Sequence, residues 1–133
     1  MTQEDRKLLL QDLSARLTYG VKCVSGVDDA TLIIEGINPK CNGASEVQVT
    51  FERNGINFGT QISTIKPYLF PLSSMTEEQD KEFALLQTSA GKEGFLYAWN
   101  CANMMKWLIE NHFDYNGLIE KGLAIDATNK NIY

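Results

Sequence analysis

The first twenty residues repeat apolar positions with the period of an α-helix. Four leucines recur at spacings that place them on one helix face: Leu9, Leu10, Leu13 and Leu17. Thr2 and Asp5 have the spacing of a capping box, in which a hydroxyl and a carboxylate satisfy free backbone N–H groups. Gly20 would end the helix, because glycine accepts positive φ. We therefore predict an N-terminal helix that buries its leucine face.

After the helix, apolar and polar residues alternate with a period of two, which is typical of β-strands. We predict a first hairpin in which strands 21–27 and 30–36 flank a two-residue turn at 28–29. That register places Lys22 opposite Glu35, and an ion pair facing across two strands favours it.

The second hairpin has a stronger signal. Strand 46–53 leads into Asn54-Gly55, a dipeptide typical of two-residue turns because both residues accept positive φ. Pairing across that turn places Phe51 opposite Phe58. The apolar residues then share one face: Val47, Val49, Phe51, Ile56, Phe58 and Ile62. The other face is polar and should meet water: Glu46, Gln48, Thr50, Glu52, Asn57 and Gln61.

The segment 65–75 has no regular period. Pro67 and Pro71 would interrupt a strand ladder, yet the residues between them are too apolar for a free loop. We expect this segment to cross the core as irregular chain.

Two helices should follow. Thr76 with Gln79, or Ser74 with Glu77, would cap the first, which runs to about Leu86. The second is predicted over 96–111. Its buried stripe would contain Ala98, Cys101, Ala102, Met105, Leu108 and Ile109.

The order α-β-β-β-β-α-α predicts one α+β domain that spans residues 1–133. We expect a four-stranded antiparallel sheet made of the two hairpins. The N-terminal helix and the C-terminal helices would pack on one face of that sheet.

Charge narrows the classes of partner. Lys and Arg total 12 and Asp and Glu total 17, which gives a formal net charge of −5. An acidic chain repels phosphate backbones, so we expect no nucleic-acid partner, whereas the same charge permits docking on a basic protein. No run of about 18 apolar residues is present, so no membrane partner is expected. These features predict a soluble, cytoplasmic protein.

The residues typical of metal sites are scarce. The chain has three cysteines and one histidine, with no CxxC pair, whereas a structural zinc site needs about four ligands in close pairs. Phosphate-binding and dinucleotide glycine motifs are also missing. We therefore predict reduced thiols, no metal site, no cofactor and no defined set of catalytic residues.

Two strings resemble a known group of proteins. KPYLFPLSSMTEE at 66–78 and HFDYNGLIEKGLAI at 112–125 are similar to sequences in short uncharacterised proteins of gut Bacteroidetes and of their phages and prophages. The opening at 4–22 fits the same group. Arginine is usual in that group where Phe70 and Asn116 stand here. The resemblance implies a bacterial or phage-infected cytoplasm, and it implies no particular activity.

A small-molecule site is one hypothesis for these strings. If they met in space, a pocket would have five candidate lining residues: Lys66, Tyr68, His112, Asp114 and Tyr115. Asp114 would orient the imidazole of His112, and Tyr115 would donate to a developing anion. The alternative is structural: the helix dipole favours His112 at the end of the third helix, and the aromatic residues fill the core.

A protein-binding row is the other hypothesis. Trp99, Asn103 and Trp107 stand four residues apart and would form a ridge rotated from the apolar stripe of their helix. The alternative is a helix buried on two sides. We favour a non-catalytic interaction module that binds another protein, or itself as a homodimer. The runner-up is a small ligand-binding domain or enzyme with its site between 66–70 and 112–116.

Overall fold

The computed structural model describes residues 1–38, 40–41, 45–88 and 94–133, with the backbone alone at 88 and 94–99. Helix α1 spans Gln3–Arg16 and begins with the predicted capping box, in which the Asp5 N–H donates to Thr2 Oγ1 over 3.0 Å. A 3-10 turn follows, and Gly20 ends it with a φ of 76°. The predicted start and leucine face of this helix are confirmed, whereas α1 itself ends at Arg16 and the 3-10 turn carries the chain on to the predicted stop at Gly20.

The described residues form seven strands in one mixed sheet. They are β1 Lys22–Ser25, β2 Thr31–Ile37, β3 Val47–Phe51, β4 Asn57–Thr60, β5 Ile65–Pro71, β6 Phe113–Asp114 and β7 Ile125–Asp126. The pairing order is β4-β3-β2-β1-β5-β6, and β7 also pairs with β5. Strands β1 to β5 are antiparallel, whereas β6 and β7 run parallel to β5. The α+β class is confirmed, but the four-stranded antiparallel sheet is wrong.

Both hairpins exist, but each register differs from the prediction by two residues. Lys22 faces Ile33 rather than Glu35, and Phe58 faces Val49 rather than Phe51. The reason is the turn, because each hairpin closes with a four-residue loop rather than with two residues. The Ser25 N–H donates to the Ala30 carbonyl across one loop, and the Phe51 N–H donates to the Ile56 carbonyl across the other.

Each of these loops needs positive φ at its last residue only. Asp29 has a φ of 56° and Gly55 has a φ of 73°. One left-handed residue is easier to accommodate than the two consecutive ones of a two-residue type I′ turn. A shift of two residues keeps the predicted alternation of side chains between the two faces of each strand.

Strand β5 contains both prolines, so the irregular segment predicted for 65–75 is wrong. Ser25 uses its N–H within the first hairpin, so the odd-numbered residues of β1 direct their backbone groups toward β2. Cys23 therefore faces Pro67 at a position with no hydrogen bond between β1 and β5. The N–H that Pro67 lacks would point away from β1, and the ladder loses nothing there.

Helices α2, Glu77–Thr88, and α3, Gly94–Glu110, occupy the C-terminal half of the chain. The predicted cap of α2 is confirmed, because the Gln79 N–H donates to Thr76 Oγ1 and the Thr76 N–H to Gln79 Oε1. The predicted stripe of α3 is partly wrong. Met105 is exposed, and Trp107 is buried in its place.

Alternating residues of β5 point into two separate apolar clusters. Leu69 belongs to the cluster that α1 covers, whereas Phe70 packs in a second cluster with Trp107 and Phe113. Successive side chains of a strand point to opposite faces. Helices α2 and α3 therefore pack on the side of β5 opposite Leu69, and the prediction that all helices cover one face is wrong.

Two residues depart from the predicted faces of the second hairpin. Glu46, expected in water, is only 3% exposed, because it accepts hydrogen bonds from Arg6 and from the Ile62 N–H. Ile56, expected on the apolar face, is 57% exposed in the position just before β4. Among the helices that the structure describes, none combines the length and apolar character needed to cross a bilayer.

Candidate functional site

The two segments that carry the resemblance meet in the structure. Phe70 donates its N–H to the His112 carbonyl over 2.8 Å, and Phe113 faces Phe70 where β6 pairs with β5. Lys66 is exposed near the other end of β5, and Tyr68 is buried. Backbone pairing and ring packing therefore fill this junction, and the five candidate side chains do not converge on one cleft.

Asp114 uses its carboxylate to cap a turn. The Leu118 N–H donates to Oδ1 and the Ile119 N–H donates to Oδ2, each over 2.9 Å. The side chain is buried, and these two bonds offset the cost of burying its charge. Asp114 therefore fixes the chain after β6, and these contacts give it no part in orienting the imidazole of His112.

His112 stacks on a residue that sequence analysis did not single out. Its ring lies 3.6 Å from the ring of Tyr133, centroid to centroid, with 9° between the planes. Its Nδ1 is buried and has no hydrogen-bond partner. Burial, followed by the nearby charges of Arg16 and Lys22, lowers the pKa of His112 to about 4. The imidazole is therefore neutral at pH 7.

Tyr133 fills the place where β1 and β5 separate. Its hydroxyl accepts the Lys22 N–H over 3.0 Å and donates to the Tyr68 carbonyl over 2.9 Å. Burial of this hydroxyl raises the pKa of Tyr133 to about 12. The hydroxyl therefore continues the β1–β5 ladder with a side chain. The sequence contains no signal for this beyond an aromatic residue in a polar tail.

Tyr115 lies beside a buried ion pair. The guanidinium of Arg16 stands 4.8 Å from the centre of the Tyr115 ring, and its Nε donates to Asp12 Oδ1 over 2.5 Å. Arg16 Nη2 also donates to the Phe113 carbonyl over 2.6 Å, and Asn116 Nδ2 donates to Asp12 Oδ2 over 2.8 Å. This network ties α1 to the C-terminal segment. Burial and the charge of Asp12 raise the pKa of Tyr115.

The tryptophan row is not an exposed ridge at its C-terminal end. Trp107 is 8% exposed and stacks between Phe83 and Phe113, at 5.4 Å and 5.6 Å between ring centroids. Asn103 is half-buried. The side chain of Trp99 lies outside the described residues. The buried alternative is therefore correct for Trp107.

A hollow of about 340 Å³ lies beyond the junction. It is formed where the end of β5 approaches the chain after β6, and its lining residues are Pro71, Leu72, Ser73, Asp114, Tyr115, Gly117, Ile119 and Glu120. Asp114 and Tyr115 are the two predicted site residues that it includes. Residues from both strings of the resemblance line this hollow, which lies next to the predicted site.

A second hollow, of about 230 Å³, opens at the end of the sheet where both hairpin loops lie. We call it the loop-end hollow. Residues from β1 to β5 and the adjoining loops line it: Ser25, Val27, Asp28, Leu32, Phe51, Phe58, Thr60, Thr64 and Ile65. Strands β4 and β5 lie close here, since only residues 61–64 join the end of β4 at Thr60 to the start of β5 at Ile65. The sheet is therefore curled around an apolar opening.

Exposed apolar side chains stand at this opening. Val27, in the first loop, is 86% exposed, and Ile56, the residue before β4, stands opposite Phe51. The loops that carry them lie side by side, because Arg53 Nη2 is 3.9 Å from Asp28 Oδ2. Arg53 also covers the Phe51 ring, at 4.9 Å from its centre.

Comparisons with known proteins were made at the level of family, sequence and structure. No family model, curated protein or solved structure matches this chain. Cys23, Cys41 and Cys101 form no disulfide with one another in this structure. In the part of the chain that the structure describes, no three His, Cys, Asp or Glu side chains gather as ligands for a metal ion.

Proposed function

We propose that this protein is a non-catalytic interaction module that binds another protein through the loop-end hollow. The observation that carries the proposal is the exposure of Val27 and Ile56 beside an opening lined by Phe51 and Phe58. Single exposed apolar residues are ordinary on protein surfaces. Several that adjoin one apolar opening are typical of binding sites.

Burial of this opening would stabilise a complex. Phe51 and Phe58 pack with tilted rings, at 4.9 Å between ring centroids, and both remain half-buried. Aromatic side chains contribute strongly to interfaces when a partner excludes water from them. A partner would therefore complete the burial that the isolated chain leaves unfinished.

The residues that suggested catalysis have structural contacts. Both carboxylate oxygens of Asp114 accept backbone N–H groups, and the imidazole of His112 stacks on Tyr133. A catalytic acid or base must be able to reach the proton that it transfers. These contacts favour the interaction module over the enzyme.

Affinity capture from a lysate of the source cells tests the proposal. We would immobilise the wild-type chain and a Val27→Ser/Ile56→Ser variant, and identify the captured proteins by mass spectrometry. Leu85→Ser is the matched control, because Leu85 is 68% exposed on α2, away from the hairpin loops. We expect the control to retain a partner that the double variant loses. Equal capture by all three proteins would contradict the proposal.

The 340 Å³ hollow favours a second candidate, a small-ligand site beside the junction. Its volume reaches the roughly 300–1,000 Å³ typical of small-molecule pockets. A fragment screen by NMR tests it, with Tyr115→Phe as the variant. A true site predicts shifts confined to 71–73 and 114–120 that the variant reduces. Fragments that shift no residue in those ranges would exclude it.

A further inference from the structure

The size of the loop-end hollow restricts its occupant. Its volume of about 230 Å³ is smaller than the roughly 300 Å³ at which small-molecule pockets begin. Leu32 and Ile65 form its floor beside the two phenylalanines, and both are buried in the first cluster. The hollow therefore fits one large apolar side chain better than it fits a free metabolite.

The two loops beside the hollow carry three acidic residues, of which Asp28 lines it. Asp28 and Asp29 stand in the first loop and Glu52 in the second, with Arg53 as the one cation of these two loops. Lys22 pairs with Glu52 at 2.6 Å, and Arg53 lies against Asp28 at 3.9 Å. Asp29 is exposed and makes no ion pair within the described residues. The two loops thus carry excess negative charge beside the apolar opening.

These two features together define the partner, provided that the loop-end hollow is the docking surface proposed above. We infer that the occupant is a segment of a partner protein that presents one large aliphatic or aromatic side chain next to lysine or arginine. The apolar side chain enters the hollow between Val27 and Phe58. The neighbouring cation lies beside Asp29 and Asp28, where opposite charges fix the orientation of the segment.

Selection from a randomised peptide library displayed on phage tests this inference. The bait is the full wild-type chain, and peptides that also bind the Val27→Ser/Ile56→Ser variant are discarded. We expect the remaining peptides to share one large apolar residue with a basic residue within two positions. Peptides that share an apolar residue with acidic or neutral neighbours would overturn the inferred partner chemistry. Failure to obtain any peptide that depends on Val27 and Ile56 would overturn it as well.

Binding measurements on the selected peptides separate the two contributions. Asp29→Asn should weaken a basic peptide about two- to fivefold, and added salt should reduce that difference. Glu78→Gln, which changes an exposed carboxylate on α2, is the control and should leave the affinity unchanged. Replacement of the apolar peptide residue by serine should cost about tenfold or more. If neither Asp29→Asn nor added salt changes the affinity, the loop carboxylates do not determine peptide binding and the inferred partner chemistry is overturned.

The peptide selection and the lysate capture can fail independently. If captured partners depend on Val27 and Ile56 while selected peptides lack basic residues, the interaction module stands and the inferred chemistry is wrong. If capture is indifferent to both residues, the proposed function itself is wrong.

Discussion

The junction of the C-terminal segment and the loop end of the sheet use opposite kinds of residue. The junction holds histidine, aspartate, arginine and tyrosine side chains, and nearly all of them contact other parts of the same chain. The loop end presents Val27 and Ile56, whose side chains are largely exposed to solvent. Reactive residue types therefore mark the structural region here, and plain apolar residues mark the candidate binding surface.

The largest effect expected at the junction comes from Arg16. Arg16→Met would leave the buried carboxylate of Asp12 without its cation, which should cost about 3–5 kcal/mol in the free energy of unfolding. Urea denaturation measures this cost. A double variant, Asp12→Leu with Arg16→Met, should recover part of it, because it removes the unpaired charge. A loss below about 1 kcal/mol for Arg16→Met would show that this pair does not hold α1 to the C-terminal segment.

Protonation of His112 should produce the next largest effect. Its pKa is about 4 in the folded chain, against an ordinary value of 6.5, so the unfolded chain binds the proton more readily. The contribution of His112 to stability is therefore complete above about pH 6.5 and is lost as the pH falls toward 4. Because the ring is only half-buried, solvent screening makes this loss smaller than the full pKa difference implies.

The control for this pH dependence is His112→Phe, which keeps an aromatic ring beside Tyr133 but cannot titrate. Urea unfolding of both proteins at pH 7 and at pH 4.5 isolates the histidine contribution from that of the carboxylates. We expect a steeper loss for the wild type. Parallel losses in the two proteins would mean that His112 is not buried as a neutral ring.

Asp114→Ala should have a smaller effect, of about 2–3 kcal/mol, because two backbone N–H groups lose a charged acceptor. Hydrogen exchange should then accelerate at Leu118 and Ile119 before it changes in α1. Unchanged exchange at these two amides would contradict the capping role and would return Asp114 to the list of candidate reactive groups.

Tyr133→Phe removes one hydroxyl and should cost about 1 kcal/mol, since the Lys22 N–H and the Tyr68 carbonyl lose their shared partner. The ring remains, so stacking on His112 is retained. Thermal unfolding measures the change. An unchanged unfolding temperature would indicate that water replaces the hydroxyl between the two strands.

The fold was predictable where the signal is local. The capping boxes of α1 and α2, the left-handed stop at Gly20 after the first 3-10 turn and the existence of two hairpins all follow from neighbouring residues. The registers did not follow, because a four-residue loop and a two-residue turn use the same left-handed residue types. Strand β5 was missed because Pro67 occupies a position without a ladder bond. Strands β6 and β7 are two residues long and have no period to detect.

The candidate sites were less predictable, because they depend on contacts distant in sequence. Asp12 and Arg16 are spaced like an ordinary surface ion pair of a helix, and only the packed C-terminal segment buries them. The meeting of 66–70 with 112–116 was one hypothesis, and its filling by Phe70 and Phe113 was not part of it. The loop-end hollow arises from the curl of five strands, which no local pattern encodes.

The double variant Val27→Ser/Ile56→Ser tests the central comparison most directly, when its unfolding free energy and its partner capture are measured on the same preparation. Exposed side chains contribute little to stability, so we expect a change within about 0.5 kcal/mol together with loss of the captured partner. Destabilisation above about 1.5 kcal/mol, or capture equal to that of the wild type, would contradict the assignment of this end of the sheet to binding.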